Sequence, residues 1–191
     1  DRDEEWKKQE LGRIGEERFR REYGCEFLVF DETLVNSMVL STLEGIEPKL
    51  NMGQTRWYKK MDPQKTYVVA LDPAMGTGGD NAAIEVLELP TFEQVAEWKH
   101  NTTPVPQQVR ILKDICNHIK DETQSSGSNI YWSVENNTIG ESALLVINDF
   151  GEDQIPGMFV SEPIRKGHIR KFRKGFNTTH KTKISACSRL K

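Results

Sequence analysis

Cysteine is scarce in this sequence: Cys25, Cys116 and Cys187 stand far apart and odd in number. That excludes a disulfide-stapled framework and fits a reducing compartment. No Cys-x-x-Cys pair occurs, so a structural zinc site has no ligand set to start from. Cys116 and His118 lie two apart on what reads as a helix, point to different faces, and are taken as ordinary helix residues. No apolar run approaches the roughly 18 residues of a membrane-spanning helix. The first ten residues are dominated by charge, so neither a secretory leader nor a membrane partner is expected. Also missing are a Gly-Lys-Ser/Thr phosphate loop and a dinucleotide-binding glycine fingerprint, which excludes the common nucleotide-binding motors and dehydrogenases.

What is present is 191 residues, 36% of them hydrophobic and 29% charged, enough for one domain with a short appendage. The net charge of −3 hides an asymmetry. From Pro163 to Lys191 there are ten Lys or Arg and no Asp or Glu, while the rest holds all 29 acids. A basic segment on an acidic body points to a polyanion, and Gly167, Phe172, Gly175 and Phe176 interrupt it as an ordered loop would. A solvated lysine-rich face is the plainer alternative.

Periodicity orders the chain. Residues 3–23 read as a charged amphipathic helix stopped near Gly24, and 25–35 as a short strand or buried connector. Residues 36–62 are irregular, so residues 1–64 read as a linker helix and connecting segment, with the main domain over 65–191. Thr66–Asp72 is a continuously apolar run ending in a carboxylate, as a buried strand would be. A glycine-rich turn leads to strands over Ala82–Leu89 and Glu93–His100, the last without clean alternation. Pro104 opens a helix to Glu122, Asn129–Glu135 is a further strand ending on an acid, and Gly140–Phe150 a further helix. Met158–Val160 is a short strand, and Lys181–Lys191 begins a helix. A three-strand meander followed by alternating helix and strand predicts an α/β domain with a mixed sheet, an order compatible with the ribonuclease H-like architecture.

Two core strands therefore end on acids, Asp72 and Glu135. A carboxylate at a buried strand end is costly unless hydrogen-bonded or bound to a cation, and two side by side repel each other. A divalent ion would answer both problems, and Mg²⁺ suits phosphodiester cleavage because it keeps waters and shares its shell with phosphate. The plainer alternative is that each acid caps the next turn or helix. Asp80, after the glycine turn, is a candidate auxiliary metal carboxylate or a turn stabiliser. Asn137 and Thr138 are candidate helix caps that could instead touch substrate. The four tryptophans read as packing residues.

These motifs, taken in order, resemble a known family. YVVALDPAMGTGGDNAAIEVLEL, IYWSVENNTIG and FNTTHKTKISACSRLK are similar to the two acidic strands and the later Lys-Thr-Lys segment of one group of nucleases. That group is the nuclease domain of the large terminase subunit, part of the DNA-packaging motor of contractile-tailed bacteriophages. FRREYGCEFLVFDETLVNSMVL resembles the stretch that joins that family's ATPase domain to its nuclease. The resemblance implies a ribonuclease H-like mixed sheet flanked by helices, and a Mg²⁺- or Mn²⁺-dependent endonuclease, with two ions, that cuts concatemeric phage DNA. It implies that Asp72 and Glu135 are catalytic metal ligands. Arg165, Lys166, Arg170, Lys171, Arg173, Lys174, Lys181 and Lys183 would track the DNA backbone. Implied partners are double-stranded DNA, an ATPase domain on the same polypeptide, the portal and the small terminase subunit, in the host cell cytoplasm.

The family's third acid lies downstream of the Lys-Thr-Lys segment, where this sequence offers no match; Asp149 and Asp153 sit in the wrong place. The C-terminal part of the domain is thus expected to be missing, and the metal site incomplete. Two other readings stand beside this one: a related resolvase or transposase, and a DNA-gripping or motor-docking module without catalysis.

Overall fold

In a computed structural model the chain is described at residues 4–14, 19, 42–166 and 169–190. It divides into two compact units, one over Ile46–Lys183 and one comprising Asp1–Gly45 with Ile184–Lys191. In the second unit, helix α1 spans Glu4–Ile14, and Phe19 is buried with its ring 6.2 Å from that of Trp6. The connector expected over 25–35, with Cys25, lies outside the described residues.

The Ile46–Lys183 unit is built on a seven-stranded mixed sheet. Its strands are β1 (Leu50–Met52), β2 (Thr55–Trp57), β3 (Thr66–Asp72), β4 (Ala82–Leu89), β5 (Glu93–His100), β6 (Ile130–Val134) and β7 (Met158–Phe159). The order across the sheet is β1-β2-β5-β4-β3-β6-β7. The meander β3-β4-β5 is antiparallel, while β6 joins β3, and β7 joins β6, in parallel. Parallel pairing needs a crossover, and two helices supply them: α2 (Val105–Glu122) before β6 and α3 (Thr138–Phe150) before β7. The mixed α/β sheet expected from the order of elements is present.

Alternation dictates which face is covered. Tyr67, Val69 and Leu71 of β3, with Ile84 and Val86 of β4 and Trp132 and Val134 of β6, are buried. They share one core with Val109, Leu112, Ile115, Cys116 and Ile119 of α2 and Ala143 and Ile147 of α3. The α2 stripe is the one its sequence spacing predicts. The opposite face carries Val68, Ala70, Asp72, Glu85, Tyr131, Ser133 and Glu135, all at least partly exposed.

Two segments differ from the sequence expectation, residues 50–57 and the basic segment, and the irregular pattern of β5 has a local reason. Residues 50–57, within the stretch read as irregular, form a hairpin that adds two strands to the sheet, β1 antiparallel to β2 and β2 antiparallel to β5. Strands of three residues are too short to show a period. In β5 the register shifts at Val86/Leu87 of its partner, so that Val95 and Ala96 are both buried. This β-bulge is why no clean alternation was visible there. The basic segment is no loop: β8 (Glu162–Lys166) and β9 (Ile169–Arg173) pair antiparallel as a separate two-stranded ribbon. Helix α4 (His180–Leu190) follows.

Candidate active site

Parallel pairing of β3 with β6 aligns their C-terminal ends. Leu71 stands opposite Val134, and the Glu135 N–H donates to the Leu71 carbonyl at 2.8 Å. Asp72 and Glu135 each come next, on the open face, at neighbouring strand ends. The Asp72 carboxyl is raised from 3.8 to about 6, first by burial and then by the hydrogen bond and negative charge of Glu135. Two carboxyls this close cannot both ionise freely, so without a cation they favour holding a proton.

The backbone around Glu135 is clamped from its other side. The Phe176 N–H donates to the Val134 carbonyl at 2.9 Å, and the Asn136 N–H donates to the Phe176 carbonyl at 2.7 Å. Asn136 Nδ2 reaches the Lys174 carbonyl at 2.7 Å, and Asn177 Nδ2 the Asn136 carbonyl at 3.0 Å. The segment joining β9 to α4 is thus sewn to the strand end that carries Glu135. Gly175 permits it: at φ +72° it lies close against the Val134 carbonyl, which a Cβ would meet at 2.5 Å.

On the Asp72 side the following turn is fixed by a buried glutamine. Gln108 of α2 donates through Nε2 to the carbonyls of Ala74 and Thr103, both at 2.7 Å, and accepts from the Ala74 N–H at 3.3 Å. Its position within a polar Gln-Gln pair gave no sign of this in the sequence.

Both acids line an open depression of about 730 Å³, together with Glu85, Ser133, Thr178 and Lys183. Burial raises the Glu85 carboxyl, which Gln94 partly offsets by hydrogen bonding, while Glu97 raises it further. Asp80 sits in the exposed turn before β4 and does not line the depression. Among the described residues no group of three His, Cys, Asp or Glu side chains is gathered as a metal cluster. The donor set of Asp72 and Glu135 nonetheless suits a hard cation: two crowded carboxylates need positive charge, and the open depression leaves room for water and phosphate oxygens.

Of the basic residues, Lys171, Arg173, Lys174, Lys181 and Lys183 are exposed, whereas the side chains of Arg165, Lys166 and Arg170 lie outside the described part. Lys174 is paired with Glu152 at 2.7 Å, and Arg173 is 3.9 Å from Glu162. Among the described residues, Lys183 is the basic one that lines the depression itself.

No family model matches the chain. Among solved structures, the large terminase nuclease of thermophilic phage G20c with bound magnesium matches at a TM-score of 0.50 and 15% identity. The match covers 76% of this chain and 62% of that one. The fold is that of a phage large-terminase nuclease. The Thermus phage P74-26 large terminase nuclease domain is a weaker likeness, at a TM-score of 0.42 and 17% identity over 63% of this chain and 54% of that one. The chain thus spans less than two thirds of the length of either. In this terminase-nuclease fold, the ribonuclease H-like mixed sheet brings Asp72 and Glu135 together and leaves Asp80 apart.

Proposed function

We propose that this chain is the metal-dependent endonuclease domain of a phage DNA-packaging terminase, cutting concatemeric DNA to start and end packaging. The observation that carries the reading is the crowding of Asp72 and Glu135 at adjacent parallel strand ends, where burial first and the neighbouring Glu135 second raise the Asp72 carboxyl to about 6. Such a pair is stable as two anions only with positive charge supplied. Asp72 and Glu135 would hold Mg²⁺ or Mn²⁺, one ion or a pair; a bound ion supplies an activated water and charge for the leaving oxygen. Lys183 beside the depression, with Lys171, Arg173 and Lys181 beyond it, would hold the phosphate backbone without reading sequence. The implied setting is the host cytoplasm, with an ATPase domain on the same polypeptide, the portal and the small terminase subunit as partners.

A second reading, a DNA-gripping or motor-docking module, is favoured by one observation: among the described residues no third acid is gathered with the pair as a metal cluster, although Glu85 lines the same depression. Plasmid cleavage separates the two. The nuclease reading predicts nicking and linearisation that require Mg²⁺ or Mn²⁺ and fall at least about 100-fold in Asp72→Ala and in Glu135→Ala, a loss of about 2.7 kcal/mol of transition-state stabilisation. DNA binding without metal-dependent cutting would leave the gripping module.

A further inference from the structure

We infer that Asn137 is the positioning residue for the Glu135 carboxylate, an assignment that rests on the metal-centre reading above and adds a member to it. The Asn137 side chain makes two kinds of contact at once. Its Oδ1 accepts from the backbone N–H groups of Ile139 and Gly140, at 3.2 and 3.0 Å, as the N-cap of α3. Its Nδ2 donates to Glu135 Oε2 at 2.9 Å.

The helix end decides how the amide is turned. Only the oxygen can accept from two N–H groups, so the NH₂ is directed at the carboxylate. A donor on one carboxylate oxygen fixes its rotamer and leaves the other oxygen's lone pairs for a cation, the usual arrangement of an outer partner around a metal ligand. The contact is exposed to solvent, but the backbone at both of its ends is held. Gly140 sits so close to the Glu135 carbonyl oxygen that a Cβ there would run into it, and the strand end is bonded on both sides, to Leu71 and to Phe176. Helix α3 and the Glu135 strand end therefore form one rigid corner, with Asn137 as its polar link.

Residue chemistry narrows the choice at this position. Ser, Thr and Asp would cap α3 comparably. Ser and Thr have only a hydroxyl, on a shorter side chain than the Asn137 amide that reaches Glu135, and Asp would set a third negative charge beside two that already repel. Asparagine caps the helix and donates to the acid at once.

The test uses the full chain and Mn²⁺ alone. Free Mn²⁺ is followed by electron paramagnetic resonance during titration, and thermal unfolding is measured without metal. The parent is compared with Asn137→Ser, Asn137→Thr and Glu135→Gln. Both cap-retaining variants are expected to melt close to the parent while binding Mn²⁺ about tenfold more weakly. An affinity within about twofold of the parent in both, while Glu135→Gln loses binding, overturns the role of Asn137 and leaves the metal centre standing. A parent chain that binds no Mn²⁺ overturns the metal centre, and this assignment with it.

Discussion

At the scale of single residues, the chemistry of the site turns on one raised carboxyl. Asp72 titrates near 3.8 when unfolded and at about 6 when folded without metal. Between those values the folded chain binds more protons than the unfolded one, so its stability falls as pH rises through that window. Metal-free thermal unfolding should show this slope from about pH 4 to pH 6, and Asp72→Asn should remove that part of it. A parent and variant with the same slope would show that the Asp72 carboxyl is not raised in the folded chain. Protons and metal compete for the same oxygens, so Mn²⁺ affinity should rise with pH to about 6 and then level off. Cys116 provides a contrasting case. Burial pushes its thiol up to about 12, so iodoacetamide should leave it unmodified in the native protein and modify it after unfolding, as read by peptide mass mapping. Asp72 and Glu135 were legible in the sequence because each closes an apolar run. Gln108, and the donation from Asn137 to Glu135, were not, because they depend on where a side chain turns after the elements have packed.

At the scale of elements, the site depends on how closely α3 approaches β6. Gly140 of α3 lies against the Glu135 carbonyl, and a methyl group there would have to push the helix away. Gly140→Ala should therefore destabilise the chain by about 1–3 kcal/mol despite the better helix propensity of alanine, as measured by denaturant unfolding. An unchanged midpoint would mean that the corner is loose. The basic ribbon β8-β9 is an element of a different kind, held to the Glu135 strand end through the 174–177 backbone. If the exposed cations of the ribbon and of α4 track DNA, replacing Lys171 and Lys183 by alanine should reduce the slope of log affinity against log salt by roughly 2, without changing sequence preference. Among the elements, β3 was legible as an apolar run closed by an acid, and β4, α2, β6 and α3 were legible because their apolar patterns run for five residues or more. The β1-β2 hairpin and the bulge in β5 were not: three-residue strands carry no period, and a bulge erases it. The ribbon was legible as basic and ordered, but its lack of apolar alternation concealed that it is paired strand.

At the scale of the whole molecule, the division of labour lies between the two faces of one sheet. One face is dry, filled by Trp98, Trp132, Tyr67 and Leu71 against α2 and α3. The other is open and bears the acids, which the dry face holds in register by fixing β3 beside β6. Composition pointed to this arrangement only in outline, through an acidic body with a basic end. The resemblance of the ordered motifs supplied the fold, which the 0.50 TM-score match to the G20c nuclease bears out. The proposed chemistry depends first on whether the paired strand ends bind a metal ion. The most direct measurement is an anomalous difference map from crystals of this chain soaked in Mn²⁺. A metal centre at the strand ends gives a peak coordinated by carboxylate oxygens of both Asp72 and Glu135, absent in Asp72→Ala. A map with no peak there under saturating Mn²⁺, or with the ion bound elsewhere and cleavage intact in Asp72→Ala, would contradict it.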